Sequence, residues 1–102
     1  MIHVIAMITT NPGMRAKVLE HFRANVPAVL AEAGCIEYAA ASDMEDGPPF
    51  QTMCGADTFM VIEKWDSLDA LKAHSAAPHM VAYGTRTRAM VVNRAIHIMQ
   101  PV

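Results

Sequence analysis

The sequence predicts an α+β domain in the order β-α-β-β-α-β, with helices packed on one face of a four-stranded antiparallel sheet. Three observations point there. Short apolar runs at residues 2–9, 35–42, 58–65 and 95–100 read as strands. Between the first two, apolar residues recur at helical spacing, and after Trp65 a second helical stretch is cut by Pro78.

The first strand, residues 2–9, is apolar on both faces apart from His3 and Thr9, so both faces need cover. Asn11-Pro12-Gly13 ends it. Met14, Val18, Leu19, Phe22, Val26, Val29, Leu30 and Ala33 then form one stripe, opposite Arg15, Lys17, Glu20, Arg23 and Glu32. That is an amphipathic helix. Pro27 predicts a kink or two helical pieces, because it lacks an N–H and crowds the preceding turn. Gly34 supplies a C-terminal stop. The strand at 35–42 is weakened by its alanines. A Gly-, Pro- and Asp-rich loop follows at 43–57, long enough to suggest a lid, a partner contact or a solvated excursion.

The third strand spans Thr58 to Trp65, and Asp66 or Ser67 is suited to cap the next helix. Leu68, Leu71 and His74 share a face of that helix. Pro78 breaks it and fits the first turn of another, running through Met80, Tyr83, Thr87, Met90 and Val91. The last strand is 95–100. This is the ferredoxin-like plan. The sheet face away from the helices is expected to carry Ile5, Met7 and Val61 and to need a second copy, so a homodimer is expected.

The 102 residues form one domain, 1–102, and an apolar content of 53% is enough for a core. Ten acidic against eight basic residues, without a basic stripe, give no support for nucleic acid or an anionic membrane as partner. The apolar start lacks the charged segment and cleavage site of a signal peptide, and no run is long enough to span a membrane. A cytoplasmic location is expected. Cys35 and Cys54 have no metal or redox spacing and read as buried free thiols. The nine methionines read mostly as core filler, and would also suit a pocket for flat aromatic ligands.

The candidate chemistry lies between Phe59 and Tyr83. Trp65, the one tryptophan, is either a core anchor or the flat wall of a pocket with an N–H donor. Glu63 sits on an apolar strand. It faces solvent, a basic partner or a cavity, and if buried is a carboxyl of raised pKa suited to act as a general base. His74 lies on the apolar helix face and reads as a core or a catalytic imidazole. His79, five residues on, is badly placed to share a metal with it, and no metal is expected. Tyr83 is a packing residue or a donor to a substrate oxygen. His3 and His97 fall on neighbouring strands, and His21 on the polar helix face. No Gly-rich phosphate cradle, G-x-G-x-x-G or nucleophile elbow occurs, so flavin, nicotinamide and nucleotide have no positive signal.

Glu63-Lys64-Trp65, the His74 helix and Glu32-Ala-Gly-Cys-Ile-Glu-Tyr38 together resemble the antibiotic biosynthesis monooxygenase family, which includes quinol monooxygenases. The resemblance covers nearly the whole chain. It implies a dimeric α+β barrel and a cofactor-free monooxygenase that oxidises a quinol or polycyclic phenol with dioxygen. Glu63, His74 and Trp65 would be catalytic, and Phe59, Tyr83, His79 and Met80 would line the substrate site. Haem-degrading relatives use a strand-one asparagine, where this chain has Ala6 and Met7. A non-catalytic small-molecule-binding or stress-associated barrel is the reading from another class.

Overall fold

A computed structural model describes all residues 1–102. Strand β1 is Ile2–Thr10, helix α1 Arg15–Leu30, β2 Cys35–Ala41, β3 Thr58–Trp65, α2 Leu68–Ala76, α3 Pro78–Thr87 and β4 Val91–Met99. A single 3-10 turn, Arg88–Met90, joins α3 to β4. The sheet is antiparallel in the order β2-β3-β1-β4, as the ferredoxin-like plan requires.

Register sorts the side chains into two faces, because opposed residues in an antiparallel pair share a face. Val4 opposes Glu63, Ala6 opposes Val61, and Ile8 opposes Phe59. All six are buried beneath the helices. The other face carries Ile5 opposite Ile62 and Met7 opposite Met60, with no helix over it. Val61 therefore belongs to the helix-covered face, not with Ile5 and Met7 as the sequence reading had it. Because strand side chains alternate, Glu63 and Val61 must lie on the same side.

The core joins Val18, Phe22 and Val29 of α1 to Phe59, Trp65 and Tyr38 of the sheet. Phe22 stacks on Tyr38 at 5.1 Å between ring centroids and meets Phe59 and Tyr83 edge-on. Asn25, also buried, donates its side-chain N–H to the sulfur of Met80.

Four local expectations need correction. Helix α1 runs unbroken through Pro27, which stands in its last turn on an exposed side. There only the bond to the carbonyl of Arg23 is forgone, and Arg23 is itself exposed. The helix ends at Leu30, and Gly34 instead takes a positive φ of 84° in the turn before β2. Strand β4 begins at Val91 rather than at residue 95, since α3 stops at Thr87. Cys35 is half-buried and Cys54 exposed, so the two free thiols are not a buried pair.

Ser67 is the cap of α2, its Oγ accepting from the Ala70 N–H at 3.1 Å, and Pro78 opens α3. The 43–57 segment has no regular structure, but its neck is tied. Both carboxylate oxygens of Asp43 accept from the Cys54 N–H, and one also accepts from Gly55. No helix is long and apolar enough to cross a membrane.

Candidate functional site

Between the helix layer and the sheet lies a cavity of about 440 Å³. Its floor is Val4, Ala6, Ile8 and Val61, with Phe22 on one side. Leu71 of α2 and Met80 and Tyr83 of α3 form its roof. Glu63, His74 and Tyr38 supply the polar groups at one end, and Lys72 and Arg94 lie among the lining residues. The volume is in the range of small-molecule sites, with an apolar surround and few polar groups.

Each polar group is delivered by an element described above. Glu63 alternates inward with Val61 and Trp65 on β3 and is buried. His74 falls two turns along α2 from the Ser67 cap and faces the sheet, 5% exposed. Tyr38 projects from β2 across the same space.

Trp65 acts from behind this group. It is completely buried and absent from the cavity lining, so of the two readings open in the sequence the core anchor holds and the pocket wall does not. Its indole N–H donates to Glu63 Oε1 at 2.9 Å, and its ring lies 4.6 Å from that of His74. Tyr38 meets the imidazole from another side, at 5.5 Å and edge-on. The His74 ring is thus boxed by two aromatic neighbours.

Carboxylates flank that ring. Nδ1 lies 2.6 Å from Glu32 Oε2, and Nε2 lies 4.0 Å from Glu63 Oε1. His79 Nε2 is 3.6 Å from the other Glu32 oxygen, too long for a hydrogen bond, and both His79 ring nitrogens are buried without a partner. Burial pushes the Glu63 carboxyl above its ordinary range, against the opposing pulls of the Trp65 N–H and the His74 charge. Desolvation likewise raises the phenols of Tyr38 and Tyr83, keeping both as protonated hydroxyl donors.

Of the residues singled out in the sequence, Glu63, His74, Tyr83 and Met80 border one cavity. Phe59 does not. It packs into the core toward Phe22, one alternation beyond Val61. His79 sits behind the site, beside Glu32. His3 opposes Met99 and His97 opposes Ile5, so those two imidazoles are offset by two registers, on the bare face. Sequence reasoning gave no site role to Glu32 or Tyr38, although both delimit the stretch that carries the family resemblance. Glu32 shares the polar stripe of a helix that ends two residues before it, and the turn at residues 31–34 is what brings it inward.

A single-sheet α+β domain with a partly open apolar cavity, and a carboxylate–imidazole–carboxylate group at one end of it, has the form of a small-molecule site. No three His, Cys, Asp or Glu side chains are grouped so as to hold a metal ion. Residues 1–86 match the family described as antibiotic biosynthesis monooxygenase. The chain is 43% identical over 103 residues to "Probable quinol monooxygenase YgiN" of Escherichia coli (strain K12), covering 99% of this chain and 98% of the relative. It superposes on the crystal structure of PA3566 from Pseudomonas aeruginosa with a TM-score of 0.81 and 28% identity, covering 99% and 93% of the two chains. For Rv0793 from Mycobacterium tuberculosis the TM-score is also 0.81, at 20% identity and coverage of 99% and 94%. The chain belongs to the antibiotic biosynthesis monooxygenase family.

Proposed function

We propose that this protein is a cofactor-independent monooxygenase acting on a quinol or polycyclic phenol, and that it works as a homodimer. The observation that carries the reading is the placement of Glu63 and His74 at the end of one apolar cavity. The 43% identity to a relative named "Probable quinol monooxygenase" supports it.

In this mechanism the flat substrate lies against Val4, Ala6 and Val61 with a phenolic hydroxyl toward His74. Nε2 of His74 takes the phenolic proton. The imidazolium so formed stands between Glu32 at 2.6 Å and Glu63 at 4.0 Å, and each carboxylate favours its charge. Formation of that charge in turn lowers the raised Glu63 carboxyl, so the two ionisations assist each other. The phenolate is electron-rich and poorly solvated here, with the Tyr38 and Tyr83 hydroxyls as donors.

The phenolate gives one electron to dioxygen. The radical and superoxide then join at the ring carbon beside the phenolate, and the distal oxygen takes up the proton. Loss of the C–H proton from that carbon breaks the O–O bond. A new carbonyl remains on the ring and the second oxygen departs as water. A quinol thus loses two hydrogens and gains one oxygen, becoming a hydroxyquinone. The protein contributes orientation, exclusion of water and proton transfer.

The test is oxygen uptake with a panel of reduced naphthoquinols and anthrones, together with isotopically labelled dioxygen. Turnover is expected to persist with chelator and without added flavin, and to place one labelled atom in the product and one in water. No uptake across the panel would overturn the reading.

A further inference from the structure

Glu32 lies in the turn between α1 and β2 and does not line the cavity, yet both of its oxygens are directed at imidazoles. We propose that Glu32 is a positioning residue that fixes His74 with its proton on Nδ1, leaving the Nε2 lone pair turned toward Glu63 and the cavity. This rests on the reading in which His74 takes the substrate proton.

The chemistry of the contact dictates the tautomer. A carboxylate only accepts hydrogen bonds, and a neutral imidazole has one proton to offer. At 2.6 Å from Glu32 Oε2, Nδ1 must carry that proton, since a lone pair there would face another lone pair. Nε2 is then the basic nitrogen, and the nearest charged group it faces is Glu63 at 4.0 Å. The ring is restrained from turning by Trp65 at 4.6 Å and Tyr38 at 5.5 Å. A base held in one tautomer and one orientation meets the geometric requirement for proton abstraction.

His79 supports the same carboxylate from its other side. Its Nε2 is 3.6 Å from Glu32 Oε1, and neither of its buried nitrogens has another partner. A shift of about half an ångström would bring that contact into hydrogen-bond range. Glu32 is therefore bonded at one oxygen by His74 and has the His79 imidazole 3.6 Å from the other.

The experiment is nitrogen-15 NMR of the histidine rings in the full-length protein, paired with kinetics. In the wild type, His74 is expected to show a pyridine-like signal at Nε2 and a pyrrole-like signal at Nδ1. In Glu32→Gln the amide can either accept from Nδ1 or donate to it, so the fixed preference is lost and the two signals are expected to move toward each other. With a quinol substrate, kcat is expected to fall on the order of 10²- to 10³-fold while KM stays within about 2-fold. Glu32→Asp, which keeps an acceptor-only group, is expected to retain the wild-type tautomer and recover part of the lost rate.

A wild-type His74 carrying its proton on Nε2 overturns the inference, as does a Glu32→Gln protein with unchanged tautomer and unchanged kcat. If the glutamine variant fails to fold, the wild-type spectrum decides alone. A wild type with the expected tautomer but no oxygen uptake on any quinol would overturn the proposed function while upholding the assignment of Glu32.

Discussion

Glu63 carries opposing demands at the residue scale, because the desolvation that suits it to a cavity also penalises its charge. Its ordinary value is 4.5, and burial raises it in the fold. The folded state therefore holds the proton to higher pH than the unfolded chain does. Stability is fully present below 4.5 and is lost as pH rises through the folded value. Glu63→Gln keeps an oxygen for the Trp65 N–H and removes the charge. It is expected to melt at a higher temperature than the wild type at pH 7, with the gap closing as pH falls below 4.5. Equal melting temperatures at pH 7 would mean that Trp65 and His74 fully offset the cost of burial. The same variant is expected to lower turnover, because it removes one of the two charges beside the His74 imidazolium.

At the scale of elements, the turn at Gly34 fixes how α2 meets β2. Gly34 takes φ of 84°, and a Cβ there would fall 2.5 Å from Asp66 Oδ1 and 2.7 Å from Ala70 Cβ. Its carbonyl also accepts from the Asp66 N–H at 2.9 Å. Gly34→Ala is expected to lose at least about 1–2 kcal/mol from the left-handed backbone alone, measurable by denaturant unfolding, with more from the crowding. A loss within error of zero would mean that the turn relaxes freely. Since Glu32 stands two residues away, activity should fall with stability in this variant.

The elements also show what was legible in the sequence and why. Strand β3 was readable end to end, because Thr58–Trp65 lies between a turn-rich loop and a capping serine. Its facing was equally available, since Glu63 pointing inward puts Val61 inward too. A strand apolar on both faces hides that parity, which is why the pattern alone does not assign Val61 to the helix-covered side. The start of β4 was hidden for a related reason. Met90 and Val91 continue the helical spacing of α3, and only the 3-10 turn breaks it. The Glu32–His74 contact was not legible at all, because it joins residues 42 positions apart through a turn whose geometry no local pattern encodes.

For the molecule as a whole, the bare side of the sheet is the unanswered surface. Ile5 and Ile62 are more than a third exposed there, beside Met7 and Met60. A groove of about 370 Å³ runs between Ile5, Met60 and Ile62 and the loop residues Met44, Gln51 and Cys54. A second copy, burying roughly 800 Å² on each protomer, would cover it. Light scattering is expected to return a dimer mass for the wild type and a monomer mass for an Ile5→Asp, Ile62→Asp double variant. A monomeric wild type at micromolar concentration would remove the dimer from the proposal.

The clasp formed by Asp43 on the amides of Cys54 and Gly55 separates the loop from the sheet it springs from. Backbone hydrogen bonds hold its carboxyl below the ordinary carboxylate range, so the knot stays tied through mild acid. The tie crosses the base of the loop, so changes between its two ends are expected to leave the pairing of β2 with β3 in place, while Met44 and Gln51 border the groove beside Ile5, Met60 and Ile62. A reporter peptide grafted near residues 46–50 is therefore expected to leave the strands on either side of the clasp paired.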